Sequence, residues 1–370
     1  MSRRPSYLVV LGTAALCYAA LGAVLRILPE LVEDRAALGL LVGAPAITGV
    51  LARPFGGRLA DRVDPMRVVV GGAVVMAVGV LPALAWNGTA ALLLSRLLVG
   101  VGEGAMMAAT VLWLLRLAGP QRRGMALGHI GLANYAGLTT GPLLADALGL
   151  VRDAVLVAAG LLPLLGVLLA LLAERPQAER STAQEHADAG ALAQILLPGI
   201  ALTLVNVGYV GFLAFGGAAA GTALVVPLFA AGVIATRVLA GTVPDRLGGR
   251  RTVIVAAPVA AAGLLVVGLA GPSATGLALV GTGVLAIGQG LAVPGLGLIA
   301  LSGVDPEHHG AAAGLFFAFF DAGVGLGGPF TGVIARATTA QGALLAAAGV
   351  VLAAGAVAAR ARVGAGALVR

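Results

Sequence analysis

Apolar residues along this chain come in long blocks, and the short segments between them carry most of the charge. The blocks lie near 7–28, 38–55, 68–86, 90–115, 124–148 and 154–173, then near 195–217, 220–243, 252–270, 274–300, 311–335 and 342–359. A helix needs about 20 residues to cross a hydrocarbon layer of about 30 Å, and most blocks are close to that length. Lipid offers the backbone no hydrogen bonds, so a spanning block must close its own as a helix. The pattern predicts an all-α membrane protein with twelve spanning helices in two sets of six. Between the sets lies the one sizeable hydrophilic segment, 174–194. It reads as a cytoplasmic linker between an N-terminal bundle, 1–173, and a C-terminal bundle, 195–370.

Composition agrees with this reading. The chain is 59% hydrophobic and 11% charged, with a mean hydropathy of +1.03, whereas soluble domains carry roughly 25% charged residues. The net charge of +7 would suit nucleic acid only if the cations shared a face. Here they sit in short loops, so a lipid bilayer and no nucleic acid is expected. There is no lysine. With the N-terminus placed inside, seventeen arginines fall in inner segments and three, Arg35, Arg152 and Arg336, in outer loops. That asymmetry puts both termini in the cytoplasm and the protein in a bacterial cytoplasmic (inner) membrane as a multi-pass chain. Arg26, Pro29 and Glu30 stand at the end of the first block where a cleavage site would be, which predicts an uncleaved first span. The single cysteine, Cys17, excludes an internal disulfide.

The two halves echo one another. Gly57-x-x-x-Asp61-Arg62 returns 184 positions later as Gly241-x-x-x-Asp245-Arg246, each between apolar blocks. Pro120-Gln121-Arg122-Arg123-Gly124 opens the fifth block, and Pro306-Glu307-His308-His309-Gly310 opens the eleventh, 186 positions on. Gly141-Pro142 and Gly328-Pro329 follow at an offset of 187 and read as hinges in the fifth and eleventh helices. Three landmarks at nearly one spacing indicate a duplicated unit of six helices.

These residues resemble the major facilitator superfamily over essentially the whole chain. Gly57-Arg58-Leu59-Ala60-Asp61-Arg62 is similar to the start of that family's loop signature between helices two and three, although Asp64-Pro65-Met66-Arg67 replaces its basic ending. The second copy keeps Gly248-Gly249-Arg250-Arg251. Arg96-Leu97-Leu98-Val99-Gly100-Val101-Gly102 resembles the fourth-helix signature. Leu21-Gly22 through Pro29 resembles the first-helix signature of twelve-helix drug exporters. Gly137-Leu138-Thr139-Thr140-Gly141-Pro142 resembles the fifth-helix signature of antiporters, with Ala145-Asp146 where two glycines usually stand. The resemblance implies two six-helix bundles around a cavity that opens alternately to each side. It also implies that Asp61 lies near the start of helix eleven, so that Gly57, Asp61, Arg62 and their counterparts Gly241, Asp245, Arg246 act as cytoplasmic latches.

Charges inside the spans mark the candidate chemistry, because an ion at mid-bilayer costs at least about 2.5–3.5 kcal/mol. Arg96 and Glu103 lie seven residues, two helical turns, apart on the fourth span. Lipid opposes the charge on Glu103 and a nearby arginine favours it, so such a carboxyl can take and release a proton as access alternates. A structural clamp between helices is the plainer alternative. Asp321 falls mid-way along the eleventh span, and the repeat offset sets it against Asn134, beside Tyr135. Matching polar positions at that depth point to a substrate or proton site. Phe316, Phe317, Phe319 and Phe320 adjoin Asp321 and suit either a pocket wall or a lipid-facing surface. Tyr18, Asn206, Tyr209 and Gln289 are further pocket candidates that could equally cross-link helices.

Other signals carry little. Gly100-Val101-Gly102-Glu103-Gly104 and Gly323 to Gly328 look like nucleotide loops but follow no strand. His308-His309 lacks further metal ligands. No grouping suggests an enzyme, a cofactor or a metal. The reading is a monomeric secondary active transporter working by alternating access, with proton-coupled efflux of a small organic molecule. A metabolite importer or facilitator on the same fold, or a non-transporting membrane sensor, stays open.

Overall fold

The computed structural model describes residues 3–118, 123–173, 189–302, 304 and 309–361, and these are helical with no strand. The helices run α1 (Arg3–Leu31), α2 (Arg35–Arg62), α3 (Pro65–Gly79), α4 (Leu81–Ala85), α5 (Thr89–Ala118), α6 (Arg123–Ala147), α7 (Arg152–Leu171), α8 (Ala189–Ala220), α9 (Val225–Ala240), α10 (Val243–Leu247), α11 (Gly249–Ala270), α12 (Thr275–Leu301), α13 (His309–Ala337) and α14 (Ala340–Arg360). With α3 and α4 taken as one span, ten helices among the described residues are long and apolar enough to cross a membrane. The 25-residue α6 and the shorter apolar α9 occupy the fifth and eighth predicted positions. A membrane face shows directly on α7, where Leu161, Leu164, Leu165, Leu168 and Leu171 are exposed. An exposed stripe of leucines at helical spacing is what lipid, not water, accommodates.

Element ends differ from the apolar blocks for identifiable reasons. The helix at 35–62 outruns the block at 38–55, because arginines continue a helix beyond the oil without appearing in hydropathy. The third span breaks at Val80, since Pro82 has no N–H to continue the ladder. The block predicted from residue 220 begins instead at Val225. Gly221, at φ +67°, turns the chain between α8 and α9. Helix α8 starts at Ala189, within the segment expected to be linker. The rest of that segment, 174–188, lies outside the described residues, as do Pro120, Gln121, Arg122, Pro306, Glu307 and His308 of the repeat.

The chain forms two compact units, one of Met1–Glu33 with Ala44–Thr182 and the other of Asp34–Gly43 with Ala183–Arg370. In the first, α1 packs on α6 and α7, and α3 on α5 and α7. In the second, α11 packs on α12 and α14, and α8 on α13 and α14. Both cores are rich in small residues. Without a water-driven hydrophobic effect between helices, stability in lipid comes from close backbone approach and dispersion.

Candidate functional site

Three glycines explain how Glu103 comes to be buried. A Cβ on Gly100 would strike the carbonyl of Pro45 and Thr48, and one on Gly104 would strike Gly49, all on α2. A Cβ on Gly102 would stand 2.7 Å from the Met76 nitrogen on α3. The run that superficially resembles a nucleotide loop is therefore the place where α5 is pressed between two neighbours. Thr48 fixes the crossing by donating to the Leu97 carbonyl at 2.8 Å. Glu103 sits inside this crossing at 6% exposure.

Its partners come from other helices. The Tyr18 hydroxyl of α1 donates to Glu103 Oε1 at 2.5 Å, and Arg53 Nη2 of α2 approaches the same oxygen at 3.4 Å. The Arg53 side chain is 20% exposed, so this pair is largely shielded from solvent. Arg96, expected to tune Glu103, is buried and lines a cleft. That cleft is bounded by Leu21 and Val24 of α1, Met76 of α3, its neighbour Ser95, and Pro163 of α7. The partners shown for the carboxylate reach it from across the bundle, from α1 and α2.

Gly137 and Gly141 perform a second close approach. Their Cβ positions fall on the α1 backbone, at 2.8 Å from the Ala19 nitrogen and 2.6 Å from the Ala23 nitrogen respectively. Gly137 also backs directly on the Tyr18 Cβ at 2.7 Å, so the α1–α6 crossing holds the tyrosine that reaches Glu103. Pro142 packs at Gly22 in the same seam. Asn134 is half-buried, and its Oδ1 has no hydrogen-bond partner among the described residues. Tyr135 is buried beside it and its carbonyl accepts from Thr139 at 2.7 Å.

The residues replacing the antiporter glycines have a role of their own. Asp146 pairs with Arg26 of α1 at 2.9 Å, and Glu30 adds a second carboxylate at 3.6 Å. At the other end of the unit Tyr7 bonds His129 Nδ1 at 3.0 Å. The pairs Arg26–Asp146 and Tyr7–His129 were not legible in the sequence, since each joins residues more than a hundred positions apart. Arg53 did leave a signal: Pro45, Gly49 and Arg53 recur every four residues, on the α2 face that meets Gly100 and Gly104.

The loop residues have local partners. Asp61 Oδ1 is 3.3 Å from Arg116 of α5, in the same unit, while Arg62 is exposed. A Cβ on Gly57 would meet nothing within 4 Å; the neighbouring Gly56 is the tight position, 2.5 Å from the Ala105 Cα. Asp64, which departs from the family ending, caps α3 by accepting from the Met66 N–H at 3.0 Å, with Pro65 in the first turn. In the second copy, Gly241 and Arg246 are exposed and Asp245 lies in the first turn of α10.

In the second unit Asp321 is buried at 5% exposure on α13. Thr203 of α8 donates to the Phe319 carbonyl at 2.9 Å, and Gly323 rests against Thr203 and Asn206. Gln289 and Asn206 are fully buried and 3.5 Å apart. Tyr209 stacks near Phe229 and Phe320, with ring centres 5.7 and 6.2 Å away. Phe320 thus packs inward, and Phe316 belongs to the unit's core. Gly328 abuts Gly39 and Gly43, and Pro329 adjoins Gly43, within this same unit.

A family model described as Major Facilitator Superfamily matches residues 8–227. An uncharacterized MFS-type transporter of Salmonella typhimurium is 30% identical over 345 residues, covering 86% of each chain. Among solved structures, the nucleoside transporter NupG matches 95% of this chain and 98% of its own at a TM-score of 0.79 and 16% identity. The xylose transporter XylE from E. coli matches 96% of both chains at 0.78 and 14% identity. At such identities the two structures establish a shared fold.

Proposed function

The chain belongs to the major facilitator superfamily, and from that premise we propose that it couples movement of a small organic molecule to protons by alternating access, in the direction of efflux. The observation that carries the proposal is the buried Glu103, held by a tyrosine and an arginine from two other helices. A buried carboxylate is costly in lipid unless paired. A residue that persists there with partners on moving helices is suited to exchanging a proton when those helices rearrange. Asp321 is the corresponding candidate in the second unit, with Asn134, Tyr135 and Arg96 as supporting positions. The arginine distribution supports a bacterial inner membrane with both termini in the cytoplasm.

The loops around Asp61 and Asp245 are proposed as cytoplasmic latches that weight one state over the other. Asp61→Asn is expected to reduce transport while leaving membrane insertion and folding intact. Unaltered flux in that variant would remove the latch from the account.

The neighbours' names, a nucleoside and a xylose transporter, suggest polar metabolites as probes alongside antibiotics. The test is a thermal-shift screen of purified protein against nucleosides, pentoses and antibiotics, then flux of any hit in proteoliposomes. An inward-acid proton gradient in inverted vesicles should drive accumulation of an exported compound. Accumulation only under the opposite gradient would favour an importer. That second reading is supported by Asp146, whose pairing with Arg26 replaces the antiporter glycines.

A further inference from the structure

We propose that Tyr18 and Arg53 are the positioning residues that set the proton occupancy of Glu103, and that the proton is carried on Oε2. This rests on the proton-site reading of Glu103 above and extends it to residues outside the family-like signatures. The two polar partners converge on one carboxylate oxygen, Oε1. The other oxygen faces the notch left by a missing side chain, since a Cβ on Gly49 would stand 3.0 Å from Oε2. Both hydrogen bonds favour the ionised carboxylate, and Arg53 adds charge attraction. Protonation therefore proceeds where neither bond must break first. A hydronium ion from the aqueous side gives its proton to Oε2 and leaves as water, the carboxylate loses its charge, and Arg53 loses its attraction to the site. Release to water on deprotonation restores the pair. Because Tyr18 lies on α1, Arg53 on α2 and Glu103 on α5, the proton is read out as a change in how three helices are tied.

The ionisable surroundings are few. Helix α1 contributes Cys17 beside Tyr18, and α2 contributes Arg53. On α5 itself Arg96 is two turns away. Helix α3 has one ionisable residue, the exposed Arg67 in its first turn, and α4 has none. On α6, His129 is engaged by Tyr7 and Asp146 by Arg26, while Tyr135 is buried.

The experiment is infrared titration of the full chain in lipid vesicles without ligand, following the protonated-carboxyl C=O stretch. A band absent in Glu103→Gln identifies the site. Tyr18→Phe, which keeps the ring, and Arg53→Gln should each move the midpoint of that band to higher pH, by about 0.5–1 unit for a lost hydrogen bond. Arg53→Lys keeps the charge and should restore most of the shift, which a purely structural role would not predict. Ser95→Ala, at the Arg96 cleft, should leave the midpoint unmoved. Equal midpoints in wild type, Tyr18→Phe and Arg53→Gln would overturn the proposal, as would the absence of any Glu103-dependent band. Since no substrate is used, these outcomes are separate from failure of the flux experiment.

Discussion

Two glycines singled out by the repeat make opposite predictions. At Gly141 an added methyl would lie 2.6 Å from the Ala23 nitrogen and 2.9 Å from the Gly22 carbonyl carbon, both backbone atoms of α1. Neither can rotate away, so α1 and α6 must separate. With rigid backbone atoms struck, the cost lies in the upper part of the range of about 1–3 kcal/mol for overpacking and exceeds the gain of up to about 1 kcal/mol from the better helix propensity of alanine. The methyl at Gly57 meets nothing within 4 Å, so Gly57→Ala should be neutral or gain up to about 1 kcal/mol. For a unit of this size each kcal/mol moves Tm by about 2–4 °C. Thermal unfolding of the two purified variants in one detergent should therefore show Gly141→Ala several degrees below wild type and Gly57→Ala level with it or slightly above. A Gly141→Ala protein as stable as wild type would refute the close crossing, and with it the account of how Tyr18 is held.

Further variants test the local readings. Asp146→Asn should cost about 1 kcal/mol in thermal stability, and a double-mutant cycle with Arg26→Gln should return a coupling of similar size; zero coupling would mean the 2.9 Å pair contributes nothing. Gly248→Ala places a side chain at φ +81°, ψ 144°, a region open essentially to glycine, and should lower stability by about 1–3 kcal/mol by the same assay. Asp64→Ala removes the α3 cap and should cost about 0.5–2 kcal/mol, whereas Asp64→Asn or Asp64→Ser should retain most of it.

The fold was largely readable because lipid imposes one rule on every span: enough apolar length, closed as helix. That rule located the helices but not their ends, since Arg58 and Arg62 extend α2 without adding hydropathy. Burial of Glu103 and Asp321 was readable for the same reason, as each interrupts an apolar block. Their partners were not. Tyr18 and Arg53 are separated from Glu103 by 85 and 50 positions, and only the crossing of three helices joins them. Arg96 was the position that spacing along one helix offered, and it lines a cleft shared with residues of α1, α3 and α7. The glycines of 100–104 carried a legible message, small residues in a span, whose meaning depended on knowing which helices press on each face.

The most direct test of a proton role for Glu103 compares two modes of transport for any compound that the screen identifies. Glu103→Gln in proteoliposomes should still exchange labelled for unlabelled compound across the membrane, because exchange needs no net proton movement. It should fail to accumulate the compound when a pH gradient is imposed. Gradient-driven accumulation at the wild-type level in Glu103→Gln would contradict the account.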